Sequence, residues 1–407
     1  MLTATVDLTD PQLWARPDVG TIVAELRQRG PVQRTNTAED GPVWSVLTYA
    51  LGAEVLTDAA TYSSVGGSLL GSGEGTTPAG AGKMMALTDP PRHRELRAPV
   101  LPYFSPRGVR GSAERIADLA DTVIAEAVER GEVDLVDVLA QVPLAVMCDL
   151  LGIPAEDRDL VVSVCDEAFL ARTPQGRRGG HQKLLPYLLG QVMQRRMQPA
   201  DDLISTLATH RIGGKLLPIE DVVLNLDNIV VGGVQTVRHT AAMSIWALLQ
   251  HPDCWRRLQA GEVALDTAID ELLRFTSVGL HVLRTATRQV ELGDQVIEAG
   301  EKVAVWTWSA DHDPAMFDRP DELLLERTPN RHLALGVGVH YCVGAPLAKA
   351  ELGAIYAALL DQVGEIELTG EPVHNSSIIN FGFDHLPVRL TARSAVGRTG
   401  DKFLLKG

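Results

Sequence analysis

The stretch from His332 to Glu351, HLALGVGVHYCVGAPLAKAE, sets Cys342 among three glycines, Gly336, Gly338 and Gly344, and runs directly into a helical pattern. A cysteine placed this way is a candidate thiolate ligand. Thiolate bound to iron needs its charge held by backbone N–H donors, and a glycine-rich turn feeding a helix N-terminus supplies both donors and a favourable dipole. The plainer reading of one isolated cysteine is a small buried hydrophobe. The other three, Cys148, Cys165 and Cys254, show no short paired spacing, so neither a disulfide framework nor a Cys-rich metal site is expected. A second candidate lies in the run Ile219 to Gln250, whose 32 residues are apolar around much of a helical circumference yet contain Gly232-Gly233. Interior helical glycines cost about 1 kcal/mol each against alanine. Close approach of a flat ligand and tight packing of a neighbouring helix explain the pair equally well.

These residues need a scaffold. Ile116 to Arg130, Leu135 to Leu151, Glu156 to Ala171, Gln182 to Gln198 and Ile219 to Gln250 all space apolar residues at three and four, which predicts helices. Gly152-Ile153-Pro154, Pro174, Pro199 and Gly213-Gly214 supply their termini. As a continuous helix the last run would extend about 48 Å and cross the whole molecule. An amphipathic helix at Thr21 to Arg29 and a strand at Val43 to Leu47 suggest a small N-terminal sheet, while Val290 to Leu292, Gln295 to Ile297 and Lys302 to Trp306 look like small hairpins. From Ser63 to Gly82 the chain carries seven glycines and no periodic apolar face, which reads as a mobile loop.

The 407 residues, 45% of them hydrophobic and 22% charged, are those of a folded protein with a large core. A net charge of -15 argues against general attraction to nucleic acid or anionic membranes. The N-terminus lacks a basic start with a continuous apolar stretch, and no run reaches a membrane span of roughly 20 apolar residues. A cytoplasmic protein without membrane or nucleic-acid partners is expected. With no repeat and no break in composition, residues 1–407 read as one mostly helical domain with minor sheets, ending in an exposed tail at 393–407.

The Cys342 segment resembles the cysteine-ligand loop of the cytochrome P450 family, aromatic-Gly-x-Gly-x-His-x-Cys-x-Gly. Every element is present except the first, where Leu335 replaces the ring. Glu271-Leu272-Leu273-Arg274 resembles the family's Glu-x-x-Arg pair, expected here in an interior network with Arg327. Asp89-Pro90-Pro91-Arg92-His93-Arg94-Glu95-Leu96-Arg97 places His93 and Arg97 four apart on one helical face. By similarity to the family, His93, Arg97, Arg284 and His340 would bind the two propionates of a haem b, with Cys342 on the iron and Leu335, Gly336 and Gly344 shaping the loop. Gly232-Gly233-Val234-Gln235-Thr236 resembles the oxygen-activation element, small-Gly-x-acid-Thr. There the two glycines would open a groove for dioxygen, and Thr236 would order a water that carries protons. The usual acid is Gln235, an amide that positions water but neither takes up nor releases a proton. Water, the substrate, Asp227 or His239 are then the candidate routes for protons. Ala310-Asp311-His312-Asp313-Pro314 is a looser match to Ala-Asn-Arg-Asp-Pro.

The resemblance covers about residues 40–392. It implies a mainly α triangular prism with small β-sheets and haem between the long central helix and the cysteine loop. It also implies a monooxygenase that hydroxylates or epoxidises a medium-sized, largely apolar natural product, in secondary metabolism. Gln235 keeps open a coupling, desaturating or group-transferring enzyme; a haem sensor or carrier would leave Thr236 unexplained. Substrate-facing positions would include Met85, Val231, Val278, Leu280, Ile379 and Phe381, with Leu69, Leu70, Met84, Phe169, His281 and Ile378 in the same regions, and with 63–84 as a flexible access loop. Val278 stands where the family often has proline. The chain has no room for a fused flavin reductase, so electrons would come from a separate ferredoxin and its reductase. Arg92, Arg94, Arg107, Arg110 and Lys349 are the candidates for the docking patch.

Overall fold

The computed structural model describes residues 6–37, 39–71, 78–170 and 174–394. Side chains at 162, 165, 166, 168–170 and 174–178 lie outside that description, so the expectations for Phe169 and Cys165 are outside the described residues.

Seven helices frame the site: α1 (Arg92–Arg97), α2 (Pro106–Arg130), α3 (Leu135–Leu151), α4 (Pro174–Met197), α5 (Ile219–Gln250), α6 (Leu265–Thr276) and α7 (Ala345–Gln362). Their ends follow from local chemistry. Ser105 caps α2 through an oxygen accepting from the Gly108 N–H at 3.1 Å, with Pro106 in the first turn. Asp134 caps α3 by accepting from the Val136 N–H, and left-handed Gly152 ends that helix. The central helix α5 starts after Pro218 and stops before Pro252, and it buries 21 of its side chains. It packs along α3 and α4, while α7 packs along α2. One large apolar core joins these helices, and two smaller ones lie under the sheet.

Five strands form the main sheet, β1 (Val32–Thr37), β2 (Gly41–Val46), β3 (Tyr62–Ser63), β4 (Val282–Ala286) and β5 (Lys302–Val305), in the order β1-β2-β5-β4-β3. Here the hairpin expected at Lys302 to Trp306 is corrected: β5 lies between β2, to which it is parallel, and β4, to which it is antiparallel. Its Val303, Ala304 and Val305 are fully buried, which suits a central strand rather than a hairpin edge. Val290–Leu292 and Gln295–Ile297 do form a hairpin. Two helices begin earlier than their apolar periodicity, α2 at Pro106 and α4 at Pro174, because proline is at home in a first turn even where glycines interrupt the pattern. Both ends of the 63–84 segment are fixed: Asp89 accepts from the Ser63 hydroxyl and the Ser64 N–H, and Asn225 Oδ1 accepts from the Met85 N–H at 2.8 Å. The expected tail begins with a half-buried Arg393 whose N–H donates to Gln362 O at 2.8 Å; 395–407 lie outside the described residues.

Glu351 in α7 is 2% exposed, its Oε1 has no hydrogen-bond partner among the described residues, and burial pushes its carboxyl up to about 8. The folded chain therefore keeps a proton that the unfolded chain sheds. Stability from this group is complete below the unfolded value and is lost at about 1.4 kcal/mol per pH unit as pH rises towards the folded one. Glu351→Gln removes that dependence. Its urea midpoint should gain on the wild type progressively between about pH 5 and about pH 8; a gap independent of pH would show that Glu351 is not protonated in the fold.

Candidate active site

Cys342 is carried by a turn that only glycine can make. Gly336 and Gly338 have φ of 68° and 77°, and a Cβ on Gly338 would sit 2.7 Å from the Leu56 carbonyl oxygen. The Cys342 N–H donates to Leu335 O at 2.9 Å, so Leu335 contributes a carbonyl to the loop while its half-buried side chain packs on the main core. Burial pushes the Cys342 thiol up, and the Gly344 N–H, the Arg97 charge and the Ala345 N–H pull against it. Two backbone donors at the start of α7 thus point at the sulfur. The loop entrance is held by Asp311, which is fully buried and accepts from the Leu333 N–H at 2.6 Å and the Ser277 hydroxyl at 3.1 Å.

Behind this loop the Glu271–Arg274 pair is fully buried and bidentate, at 2.8 Å for both contacts. Glu271 also accepts from Arg327 Nε at 2.9 Å, Asn330 Nδ2 at 3.1 Å and the Leu324 N–H at 3.0 Å. Arg274 donates onward to the carbonyls of Asp311 and Pro320. The network expected with Arg327 is therefore present, and its bonds to the Leu324 N–H and to the Asp311 and Pro320 carbonyls fix backbone leading to the cysteine loop.

Four cationic or potentially cationic side chains converge beside Cys342. The rings of His93 and His340 are 4.4 Å apart, and Arg97 Nη2 donates to Tyr341 O at 2.7 Å. Burial, together with Arg284, His93 and Arg97, lowers His340 to about 3, and burial lowers Arg284 to about 10 against the pull of Asp89. His93 is lowered by burial and by Arg97, and its Nδ1 is buried without a hydrogen-bond partner. Mutual repulsion of this kind, with an orphaned buried ring nitrogen, is the setting for an anionic group. The donor set fits the two carboxylates of a haem. Placement of the set follows from α5: Asp221 pairs with Arg92 at 2.7 Å, and Asn225 Nδ2 donates to Lys83 O. Arg92 and Lys349, expected in the docking patch, are held in ion pairs with Asp221 and Asp270, whereas Arg94, Arg107 and Arg110 are exposed.

Across α5 the two glycines separate. Gly232 is exposed between buried Val231 and Val234, and a Cβ there would meet nothing within 4 Å among the described residues. Gly233 is pressed by the Met147 side chain of α3, where a Cβ would collide with the methyl carbon. One glycine opens a space and the other admits a neighbouring helix. Thr236, one turn beyond Gly232, is half-buried, and its hydroxyl donates to Asn380 Oδ1 at 3.3 Å; Gln235 is 1% exposed. Of the alternative proton routes Asp227 turns away from this opening, whereas His239 lies two turns beyond Gly232 on the same helix face. Asp227 binds His181 Nδ1 at 2.8 and 3.0 Å towards α4. His239 is fully buried against Gly382 and is lowered to about 3 by burial. Among the substrate-facing candidates, Met85, Val231 and Val278 are buried and Ile379 is partly so, while Leu280 and Phe381 are packed with Leu13, Trp14 and Trp306 in a second core. Asn380 carried no signal in the sequence beyond its place in the 376–383 segment.

Fold and site together are those of a haem oxidoreductase. A family model described as cytochrome P450 matches residues 181–363. The chain is 34% identical over 392 residues to cytochrome P450 NovI of Streptomyces niveus, covering 95% of this chain and 96% of that one. It is 33% identical over 363 residues to the cyclomarin C epoxidase CymV of Salinispora arenicola, covering 86% and 90%. The solved structure of P450 OxyD, involved in the biosynthesis of vancomycin-type antibiotics, superposes with a TM-score of 0.88 at 33% identity, covering 96% and 100%. The chain belongs to the cytochrome P450 family. It is a haem-dependent monooxygenase of the mainly α P450 fold, acting on small molecules with electrons from redox partners. Among the described residues no helix is long and apolar enough to cross a membrane.

Proposed function

We propose that the chain is a single haem b-thiolate domain over 1–407 that inserts an oxygen atom into a medium-sized, largely apolar natural product in secondary metabolism. The observation that carries this reading is the opening at Gly232 on the same helix face as the Thr236 hydroxyl. The haem supplies dioxygen activation when bound. Cys342 holds it through sulfur, with the Gly344 and Ala345 N–H groups sharing the thiolate charge, and His93, Arg97, Arg284 and His340 neutralise the propionates. Leu335, Gly336 and Gly344 shape the loop. Gly232 gives access, Gly233 seats α5 on α3, Gln235 orients water through its amide, and Thr236 directs a proton-carrying water.

Met85, Val231, Val278 and Ile379 form the apolar wall against substrate, with Leu280 and Phe381 supporting it from behind. Electrons arrive from a ferredoxin and its reductase at the face bearing Arg94, Arg107 and Arg110, in a cytoplasmic setting.

Labelled dioxygen with a competent reductase tests the reading: label in the product supports insertion, and its absence moves the assignment to coupling, desaturation or group transfer. Thr236→Ala should lower product per electron consumed, with the difference appearing as peroxide. If proton delivery limits turnover, Gln235→Glu should raise that yield. A fall in Gln235→Glu together with full yield in Thr236→Ala would remove the proton relay from this site.

A further inference from the structure

Threonine inside a helix ordinarily spends its hydroxyl proton on the carbonyl four residues earlier. Among the described residues four helical threonines do so: Thr57 to Ala53 O, Thr122 to Asp118 O, Thr209 to Ser205 O and Thr276 to Leu272 O, at 2.7 to 2.8 Å. Thr236 differs. Its hydroxyl donates across to the Asn380 side chain at 3.3 Å, leaving α5 for the 376–383 turn.

Asn380 is built to receive it. The residue is 4% exposed, its N–H donates to Ser377 Oγ at 3.2 Å, and its carbonyl accepts from Asn375 Nδ2 at 2.8 Å. Ser377 Oγ also accepts from the Ile379 N–H, Asn375 N–H donates to Gly382 O, and Phe381 N–H donates to Val278 O at 2.8 Å. The turn is thus tied to itself and to the segment after α6. A carboxamide oxygen accepts a hydrogen bond but does not exchange the proton, so this contact sets an orientation.

We propose that Asn380 is the positioning residue for Thr236: its Oδ1 accepts the hydroxyl's hydrogen bond, so that the Thr236 oxygen presents its lone pairs to the space opened by Gly232 and accepts hydrogen bonds there. The inference rests on the reading of that space as the dioxygen side of the haem. Because the hydroxyl is half-buried and its single proton is committed, it meets a water or ligand in the opening as an acceptor.

The carbon monoxide adduct of the reduced holoenzyme reads this without turnover, since its C–O stretching band responds to donors nearby. Wild type and Thr236→Val should show closely similar bands, because no donor is lost from the opening. Asn380→Leu should split or shift the band as the released hydroxyl samples other orientations, and Thr236→Val added to Asn380→Leu should restore it. In turnover, Asn380→Leu should lower product per electron by about fivefold, the scale of one hydrogen bond, with KM unchanged and no further loss when Thr236→Ala is added. An unaltered band in Asn380→Leu, or a shift that survives in the double variant, overturns the inference while leaving the haem-thiolate reading intact. A wild type lacking the thiolate-type adduct overturns both. Should Asn380→Leu fail to fold, Asn380→Ser removes the same oxygen and is held to the same outcomes.

Discussion

Cys342→Ala is expected to abolish the red-shifted band of the reduced carbon monoxide adduct, the signature of thiolate ligation, and to abolish monooxygenation with it. The sulfur sits where the N–H groups of Gly344 and Ala345 converge, and alanine offers those donors nothing to hold. His93→Ala and Arg97→Ala should behave differently: they address the carboxylates, so cofactor retention should weaken while the thiolate band persists in whatever haem remains bound. Survival of the band in Cys342→Ala would transfer the ligand role to another side chain, and unchanged haem affinity in both other variants would remove His93 and Arg97 from the site.

The second large effect is expected at Glu271, far from any substrate. Its two oxygens take bonds from Arg274, Arg327, Asn330 and the Leu324 backbone with no water access. Glu271→Gln leaves two guanidinium groups in the interior without their anion, a loss of about 3–5 kcal/mol, against a total stability of about 5–15 kcal/mol for a folded chain. The variant should yield little folded protein, and the folded fraction should unfold at markedly lower urea. Arg274→Lys should fall nearly as far, since a single ammonium cannot bond both carboxylate oxygens and also reach the Asp311 and Pro320 carbonyls. Wild-type urea midpoints in either variant would show that the network is dispensable.

Cysteine loop, Glu-x-x-Arg pair and long helix were legible because each is written in contiguous residues with its own periodicity or turn chemistry. Leu135 to Leu151 matched to the residue, since Asp134 and Gly152 mark both ends chemically. What stayed hidden depends on partners distant in the chain. Asn380 meets Thr236 across 144 positions, and nothing local to either residue announces the contact. Lys302–Val305 carries strand character, but its place between β2 and β4 is decided by pairing and not by its own side chains. Asp227 and His239 are both candidate proton routes on the sequence, but rotation around α5 turns Asp227 towards His181, while burial holds His239 neutral.

The adjacent glycines of α5 answer to different neighbours. Position 233 is in volume exchange with position 147, so a larger residue at the first is admissible when the second is shortened, whatever chemistry the chain performs. Among the described residues position 232 has no neighbour to trade with, and its size is answerable to what enters the opening. Across related chains, residue 233 should therefore vary together with residue 147 as a record of helix packing, while residue 232 varies with the shape of the molecule being oxidised. Two letters side by side in the sequence would then carry two independent histories.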